Sequence, residues 1–472
     1  MRTLEIVLFL FLLIRIILPF FDRDHWSEWF SVFTLGVMAL QIMIEGYRWQ
    51  MLPLYGIALG LGIFSIWRLT HPKGKAKKLS LGTFAQFGAG LLLLGIAILP
   101  PILLPVPETP KPTGPYSVGT TTLMLVDTSR EELYSGKSGE PRNLMVQIWY
   151  PAETVRGAKP APWLENMDVM GPAIAGHLDL PAFFLEHVKY ARTHAIADAP
   201  VSGGETQYPL LLFSHGWGGF RAQNTYQVEE LASHGYVVAA PDHTYGAIAT
   251  VFSDGGVALN NPSALPYETG LSDEVYLTAA QTLGTQWAGD LSFILDTLAN
   301  LKPGDPAGQL TNRLDFTRIG VMGHSTGGGA AIQFCATDAR CQAVLGMDPY
   351  MDPVSFSVLD QGLDMPHLAM FSAVWAEDRS RNNEIYNQLV SNSSGDGYQY
   401  YIEQTAHYDF TDMPAFSPLA PYLGLKGPLD GKQVSKIINA YTLAFFGHYF
   451  KGEMGSLLEQ PTKEFPEMIY LP

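Results

Sequence analysis

The sequence predicts an α/β domain with a mostly parallel sheet, preceded by a bundle of about four transmembrane helices. Two observations lead to this fold class. The 47% hydrophobic content is concentrated in four long runs near the start of the chain. Further along, short β-rich runs that end in Gly, Ser, Asp or His alternate with helical segments. Such alternation is typical of a parallel sheet covered on both faces, with functional groups at the carboxyl ends of its strands.

Four apolar runs occupy about residues 4–20, 29–44, 51–67 and 82–104. Each approaches the ~20 residues that a helix needs to cross a bilayer. A cleaved signal peptide is the alternative for the first run, but no small-residue cleavage site follows it. We therefore expect a transmembrane region over residues 1–105.

Charge predicts the orientation of these helices. Residues 68–78, between the third and fourth runs, contain five Lys or Arg and no acidic residue, and the positive-inside rule assigns such a segment to the cytoplasm. The chain after the fourth run is then extracytoplasmic. Residues 1–105 have a net charge of +4, so the −16 of the whole chain leaves −20 for residues 106–472. So acidic a domain argues against nucleic acid or an anionic membrane surface as a partner.

The proline-dense stretch that follows the fourth run cannot continue a helix, so we expect a linker over residues 106–115 and a folded domain over residues 116–472. An early hairpin is predicted from TTLMLVD and RNLMVQIWYP. Later strands are predicted from YPLLLFSHG, YVVAAPDH, RIGVMGHS, QAVLGMDP, PHLAMFSA and YQYYIEQ. Helices are predicted at residues 221–234, 278–300, 327–338, 382–391 and 433–450. Residues 155–200 and 246–275 fit the alternation poorly and are candidate loops or lids.

The two cysteines, Cys335 and Cys341, are too few for a disulfide scaffold or a four-ligand zinc site. In an extracytoplasmic domain they could pair with each other, and two small buried thiols fit the sequence about as well. The sequence contains no internal repeat and no phosphate-binding loop. Neither a metal site nor a cofactor site is therefore predicted.

The stretch GHSTG, residues 323–327, lies between a predicted strand and a predicted helix. This is the pattern of a nucleophile elbow, in which two glycines allow a close approach and the serine is held exposed above the sheet. Ser325 could instead be a helix N-cap, or part of a loop that binds something else. Because the sequence predicts both a strand before Ser325 and a helix after it, we interpret Ser325 as a nucleophile.

An activated serine needs a base within hydrogen-bond reach and an acid that orients the base. His407, in EQTAHYDFTD, follows the last predicted strand and is the candidate base. His367 lies at the start of a strand and His448 in the final helix, so both are predicted to be structural.

The acid has two candidate positions. Asp348 ends the strand QAVLGMDP, whereas Glu377 and Asp378 follow the next strand. Either position could reach the imidazole of His407, so the residues alone leave this choice open.

The transition state also needs donors for its oxyanion. The amide of Thr326, directly after the candidate nucleophile, is one, and the Trp217 amide in SHGWGG is the other candidate because it lies after an earlier strand. His215, beside it, and His243, in PDHTYG, are predicted to order their loops.

Five ordered blocks between residues 113 and 450 are distinctive: TGPYSVGTTTLMLVD, PLLLFSHGWGGFRAQNTYQVEELASHGYVVAAPDH, GHSTGGG, LGMDPYMDP and HYDFTD. Together they resemble the plasma and type II platelet-activating factor acetylhydrolases and their bacterial relatives. The resemblance implies an α/β-hydrolase without a cofactor, whose triad falls on Ser325, Asp348 and His407. It implies oxyanion donors at the Trp217 and Thr326 amides, and it decides for Asp348 as the acid.

This resemblance implies hydrolysis of short-acyl lipid or phospholipid esters through an acyl-enzyme. The apolar runs and the charge pattern predict an integral protein, in a bacterial plasma membrane, with its catalytic domain outside. The N-terminal helices, HST at the elbow and the intervening loops depart from the mammalian members, so the exact substrate is not carried over. Two alternatives are an envelope acyltransferase with the same triad and a non-catalytic hydrolase-fold sensor module. Trp163, Phe183 and Phe184 could line an acyl path or form the core of a lid.

Overall fold

The computed structural model describes residues 1–20, 26–71, 81–266, 272–459 and 463–471. The chain divides into two compact units. The first consists of Met1–Pro107 with two short segments, Glu186–Tyr190 and Phe416–Leu419. The second consists of Glu108–Leu185, Ala191–Ala415 and Ala420–Pro472.

The described part of the first unit is helical, with α1 (Thr3–Ile17), α2 (Trp26–Glu45), α3 (Leu52–Thr70), α4 (Leu81–Ala97) and α5 (Leu99–Leu103). Three stretches are long and apolar enough to cross a membrane: Trp26–Glu45, Trp49–Thr70 and Thr83–Leu103. Helix α1 has 15 residues, and it rises only about 22 Å, less than the ~30 Å of a hydrocarbon core. Three of the expected spans therefore have the required length, and a fourth stays a prediction. Most of the basic segment that predicts the orientation, residues 72–78, lies outside the described residues.

A buried ion pair joins the ends of helices in this unit. The guanidinium of Arg48 lies 2.7 Å from the carboxylate of Glu5, and both side chains are fully buried. Arg48 also donates to the carbonyl of Leu104 at 2.7 Å. Because a buried charge is costly unless it is paired, these contacts fix the starts of α1 and α3 against the end of α5.

The second unit contains the strands. They are β1 (Ser117–Glu131), β2 (Pro141–Ala152), β3 (Pro160–Pro162), β4 (Arg192–Ala197), β5 (Tyr208–Ser214), β6 (Val237–Asp242), β7 (Ala249–Val251), β8 (Val257–Leu259), β9 (Leu314–His324), β10 (Ala343–Met347), β11 (His367–Ser372), β12 (Gly397–Ile402) and β13 (Met468–Tyr470). Eleven of them form one sheet in the order β13-β12-β11-β10-β9-β5-β6-β2-β1-β4-β3, and β7 pairs with β8.

The centre of the large sheet is parallel. Strands β6, β5, β9, β10, β11 and β12 run parallel to one another, whereas β1 and β2 form an antiparallel hairpin that continues, also antiparallel, to β6. The mostly parallel sheet and the early hairpin are therefore confirmed. Strands β3, β4, β7 and β8 lie within the segments expected to be loops. Strands β3, β7 and β8 have only three residues each, too few to show an alternation, and β4, RTHAIA, begins with three polar residues.

Helices cover both faces of this sheet. They are α6 (Met167–His177), α7 (Thr225–Ser233), α8 (Asp273–Ala299), α9 (Thr326–Thr337), α10 (Phe356–Gln361), α11 (Ala373–Asp378), α12 (Ser380–Asn392), α13 (Gly431–Lys451) and α14 (Ser456–Glu459). Helices α8, α9 and α12 share one hydrophobic core, and α7 and α13 share the other. In β5, Leu210 and Leu212 face the first core while Leu211 and Phe213 face the second, as the two-residue period of a strand requires.

The two cysteines form a disulfide. Cys335 lies in the last turn of α9 and Cys341 lies two residues before β10. Both are buried. The bond therefore closes the connection between the helix that begins after Ser325 and the strand that ends before Asp348.

Candidate active site

Ser325 lies at the corner between β9 and α9 with φ +54° and ψ −123°. A non-glycine residue in this region is strained, and such strain is typical of a nucleophile held above the sheet. The flanking glycines are required by space. A Cβ on Gly323 would overlap the carbonyl of Gly327, and a Cβ on Gly327 would overlap the carbonyls of Ser214 and His215.

Asp348 and His407 are brought together from separate strand ends. Asp348 follows β10, and His407 begins a 3₁₀ turn after β12. Nδ1 of His407 lies 2.9 Å from Oδ2 of Asp348. Glu377 and Asp378, the other candidates for the acid, are exposed at the end of α11.

The surroundings of this pair set its protonation. Burial raises the pKa of Asp348 to about 7, although hydrogen bonds from the amide and hydroxyl of Ser372, at 2.6 and 2.7 Å, oppose the change. Burial lowers the pKa of His407 to about 3, and the charge of Arg379 acts in the same direction. The imidazole is therefore neutral. When Asp348 is ionised, it holds the proton on Nδ1 and leaves Nε2 as an acceptor.

Aromatic contacts fix the plane of the His407 ring. The indole of Trp375 is stacked on it, with the ring centres 4.4 Å apart and 14° between their planes. The amide of Trp375 donates to the hydroxyl of Ser372, which itself donates to Asp348. One serine thus supports both the acid and the ring that packs on the base.

The loop after β5, residues 214–219, holds the Trp217 amide. The carbonyl of Gly216 accepts from Nδ1 of His215 at 2.7 Å and from the Gly219 amide at 2.8 Å. The Gly216 C=O and the Trp217 N–H belong to one trans peptide, so they point in opposite directions. The Trp217 N–H therefore points away from His215 Nδ1 and the Gly219 amide, which bind the Gly216 carbonyl. The Thr326 amide is at the first position of α9, where no carbonyl within the helix can accept from it. Within the described ranges neither amide donates to a protein acceptor.

The remaining histidines of interest lie elsewhere. His367 is at the start of β11 and bonds the carbonyl of Met365, and His448 is in the last turn of α13 and bonds the carbonyl of Glu453. His215 accepts from the amide of His243 as well as donating to Gly216. These are loop-ordering contacts.

His243 takes part in a second group of the same residue types. Its Nε2 lies 2.9 Å from Oγ of Ser214, and its Nδ1 lies 2.9 Å from Oδ2 of Asp290. All three residues are completely buried. We call Ser214, His243 and Asp290 the buried constellation.

Of the aromatic residues considered for an acyl path, Trp163 is buried. Its Nε1 donates to Asp412 at 2.6 Å, and its ring packs edge-on against Phe220. Trp163 therefore belongs to the core, whereas Phe183 is 55% exposed.

Sequence reasoning missed Ser372 and Trp375, and it also missed Gln223 and His324, which hydrogen-bond to each other at 3.1 Å. Ser372 carried a usable signal, since it is a polar residue at the carboxyl end of a parallel strand. His324 carried the same signal, since it is the last residue of β9. Trp375 and Gln223 contact partners that are distant in the sequence, so no local pattern identifies them.

Comparisons with known proteins identify the family of this chain. The model of the family "Platelet-activating factor acetylhydrolase, isoform II" matches residues 105–454. The chain is similar to the platelet-activating factor acetylhydrolase of Cavia porcellus, with 27% identity over 363 residues, covering 72% of this chain and 77% of that protein.

A fungal relative and a solved structure extend the comparison. The chain is 23% identical over 390 residues to a probable 1-alkyl-2-acetylglycerophosphocholine esterase of Arthroderma benhamiae, covering 77% of this chain and 93% of that protein. The structure of the ferulic acid esterase from Streptomyces cinnamoneus aligns with a TM-score of 0.63 and 26% identity, covering 78% of this chain and all of that one. The chain therefore belongs to the platelet-activating factor acetylhydrolase isoform II family of α/β-hydrolases, and it is a carboxylic-ester hydrolase.

Proposed function

We propose that the protein is a serine esterase in which Ser325 attacks the ester carbonyl, His407 is the general base and Asp348 orients the imidazole. The observation that carries the proposal is the 2.9 Å hydrogen bond between Nδ1 of His407 and Asp348. That bond commits one ring nitrogen to the carboxylate, so the other is the one that takes the serine proton. The strained backbone of Ser325 supports the same assignment, because it projects the hydroxyl from the corner between β9 and α9.

The reaction then proceeds in two stages. Oγ of Ser325 bonds to the carbonyl carbon while its proton moves to His407, and the Trp217 and Thr326 amides stabilise the oxyanion. His407 returns the proton to the leaving alcohol, which departs as the acyl-enzyme forms. Water then attacks the acyl carbon with His407 again as base, and the carboxylic acid is released.

We propose short-acyl esters of lipids, including phospholipids, as the substrates. The names of the relatives support this class, since one is named a probable 1-alkyl-2-acetylglycerophosphocholine esterase. The apolar N-terminal helices support it too, because they would hold the enzyme at a bilayer. An acyltransferase would use the same residues and would differ only in the acceptor.

The catalytic unit is further proposed to lie outside the plasma membrane, joined to the helices by a linker at residues 106–115. The disulfide between Cys335 and Cys341 supports this location, because such bonds form and persist in oxidising compartments. Protease treatment of intact spheroplasts should therefore remove a tag fused to the C-terminus. Protection of that tag until the membrane is permeabilised would reverse the orientation.

The proposal is tested by labelling the full-length protein in membranes with a fluorophosphonate probe. Wild type should be labelled, and both Ser325→Ala and His407→Ala should lose labelling and ester hydrolysis. Ser214→Ala is the matched control, since it removes another serine that lies beside a histidine, and it should label normally. Undiminished labelling of Ser325→Ala would refute the assignment.

A second assay addresses the substrate. Turnover of p-nitrophenyl esters should fall as the acyl chain lengthens from acetyl, and acetate should be released from a 1-alkyl-2-acetyl phospholipid. Addition of a sugar alcohol as acceptor separates the two reaction types. Transfer of the acyl group to that alcohol in preference to water would identify an acyltransferase.

A further inference from the structure

Two side chains outside the proposed triad lie between its parts. Gln223 precedes α7 and His324 precedes Ser325, and they are 8% and 2% exposed. They lie between the loop that holds Trp217 and the turn that holds His407. Neither residue has a role in the reaction described above.

The hydrogen bonds of these two residues form a continuous bridge. The Gly216 amide donates to Oε1 of Gln223 at 3.2 Å, and Nε2 of Gln223 is 3.1 Å from Nδ1 of His324. Nε2 of His324 is 3.1 Å from the carbonyl oxygen of His407. Since a carbonyl only accepts, Nε2 of His324 carries the proton, and Nδ1 accepts from the amide of Gln223.

The bridge ends on the main chain at both sides. One end is the Gly216 amide, one peptide before the Trp217 amide that would bind the oxyanion. The other end is the carbonyl of His407 itself. A link of this kind fixes the backbone of the base relative to the backbone of the oxyanion donor.

His324 is not a substitute base. Both of its ring nitrogens are engaged, one with Gln223 and the other with the His407 carbonyl. Burial, followed by the nearby His407, lowers the pKa of His324 to about 3, so the ring is neutral. Its remaining role is mechanical, and the space around it is tight, since a Cβ on Gly216 would lie 3.1 Å from Nδ1 of His324 and 3.2 Å from Cβ of Ser325.

We propose that Gln223 and His324 are positioning residues that couple the oxyanion loop to the catalytic base, so that both reach the reacting carbonyl together. This inference rests on the proposed function of Ser325, His407 and Trp217. The decisive interaction of His324 is its hydrogen bond to the main-chain carbonyl of His407. Gln223 connects His324 to the Gly216 amide.

The test compares two replacements of His324 in the full-length protein. The amide of Gln can reach the position of Nε2 and donate to the His407 carbonyl, whereas the amide of Asn lies at the position of Nδ1 and meets only Gln223. We expect His324→Asn to lower kcat by about 30-fold with little change in KM, because misplacement of a reacting group by about 1 Å costs up to 10²-fold. His324→Gln should stay within about fivefold of wild type.

Gln223→Leu should lower kcat about as little as His324→Gln does, because both keep a donor to the His407 carbonyl and lose only the link to Gly216. The double variant of Gln223→Leu with His324→Asn should be no worse than His324→Asn alone, because both replacements break the same bridge. Gln147→Leu is the matched control. Gln147 is also a buried glutamine, bonded to Thr120 at 3.0 Å within the β1–β2 hairpin, and its loss should lower thermal stability while kcat is unchanged.

Equal losses of kcat in His324→Gln and His324→Asn, or additive losses in the double variant, would overturn the proposal. So would a loss of kcat in Gln147→Leu as large as that in Gln223→Leu, since general loosening would then explain both. These results differ from failure of the proposed function, in which Ser325→Ala would still react with the fluorophosphonate probe.

Discussion

Among the described residues, a histidine is hydrogen-bonded to an aspartate in two places. In the buried constellation His243 lies 2.9 Å from Asp290, and in the candidate active site His407 lies 2.9 Å from Asp348. The distances are the same, but the surroundings are not. The side chain of His407 is 25% exposed, whereas every member of the buried constellation is inaccessible to solvent.

The charged groups around Asp290 and Asp348 also differ. Although burial opposes it, the guanidinium of Arg142 holds the pKa of Asp290 below its usual range, and Arg130 pairs with the same carboxylate. Asp348 accepts from Ser372 and His407 instead, and burial raises its pKa. A carboxylate neutralised by two arginines stabilises a fold, whereas one that changes its charge near neutral pH can control the proton of a base.

The largest expected effect separates the two acids. Asp348→Asn should lower kcat by about 10⁴-fold and leave the protein folded, because an amide favours the wrong tautomer of the imidazole. Asp290→Asn should leave kcat nearly unchanged and reduce the free energy of unfolding by about 3 kcal/mol, because Arg142 loses one of its buried counter-ions. Ester hydrolysis and thermal unfolding of both variants in detergent check this. Equal losses of activity would show that the two groups do not differ in role.

The pKa of Asp348 also predicts how turnover depends on pH. Only the form with ionised Asp348 and a free Nε2 on His407 is active, so kcat/KM should rise with pH and level off above the apparent pKa of the pair, about 7. Below that value it should fall about tenfold per pH unit. Hydrolysis of p-nitrophenyl acetate between about pH 5 and 9 measures this. An acid limb that begins only near pH 3, the lowered pKa of His407, would contradict the raised pKa of Asp348.

A smaller effect is expected at the serine of the buried constellation. Ser214→Ala leaves Nε2 of His243 without a donor, and an unsatisfied buried acceptor costs about 1–3 kcal/mol. The free energy of unfolding should fall by that amount while kcat stays within about twofold of wild type. Chemical denaturation followed by tryptophan fluorescence gives the first quantity. A large loss of kcat would place Ser214 in the reaction.

The smallest expected effect is an increase in the free energy of unfolding. Ser325→Gly should stabilise the protein by about 1 kcal/mol, because glycine adopts the positive φ of this position without strain. The same replacement in β5, Ser214→Gly, should destabilise it. Thermal unfolding of the two glycine variants compares a strained serine with a relaxed one, and a lower melting temperature for Ser325→Gly would mean that the corner carries no strain.

Much of the fold and the candidate site could be predicted because the signals were local. The central strands are apolar runs; Ser325 and Asp348 lie directly after two of them, and His407 lies five positions after a third. The partners that complete the site are distant in the sequence. Ser372 follows Asp348 by 24 positions and His324 follows Gln223 by 101, so their contacts depend on which strands become neighbours. The short strands β3, β7 and β8 were missed because three residues carry no clear period.

The buried disulfide restricts the stage of folding at which its two cysteines can be oxidised. Cys335 and Cys341 are buried in the finished fold, so they must meet an oxidant while the chain is still partly open. In a chain exported through a membrane, that moment comes after translocation and before the core between α9 and β10 closes. The choice of expression host therefore decides which protein is purified, since a chain folded in a reducing cytosol would keep both thiols.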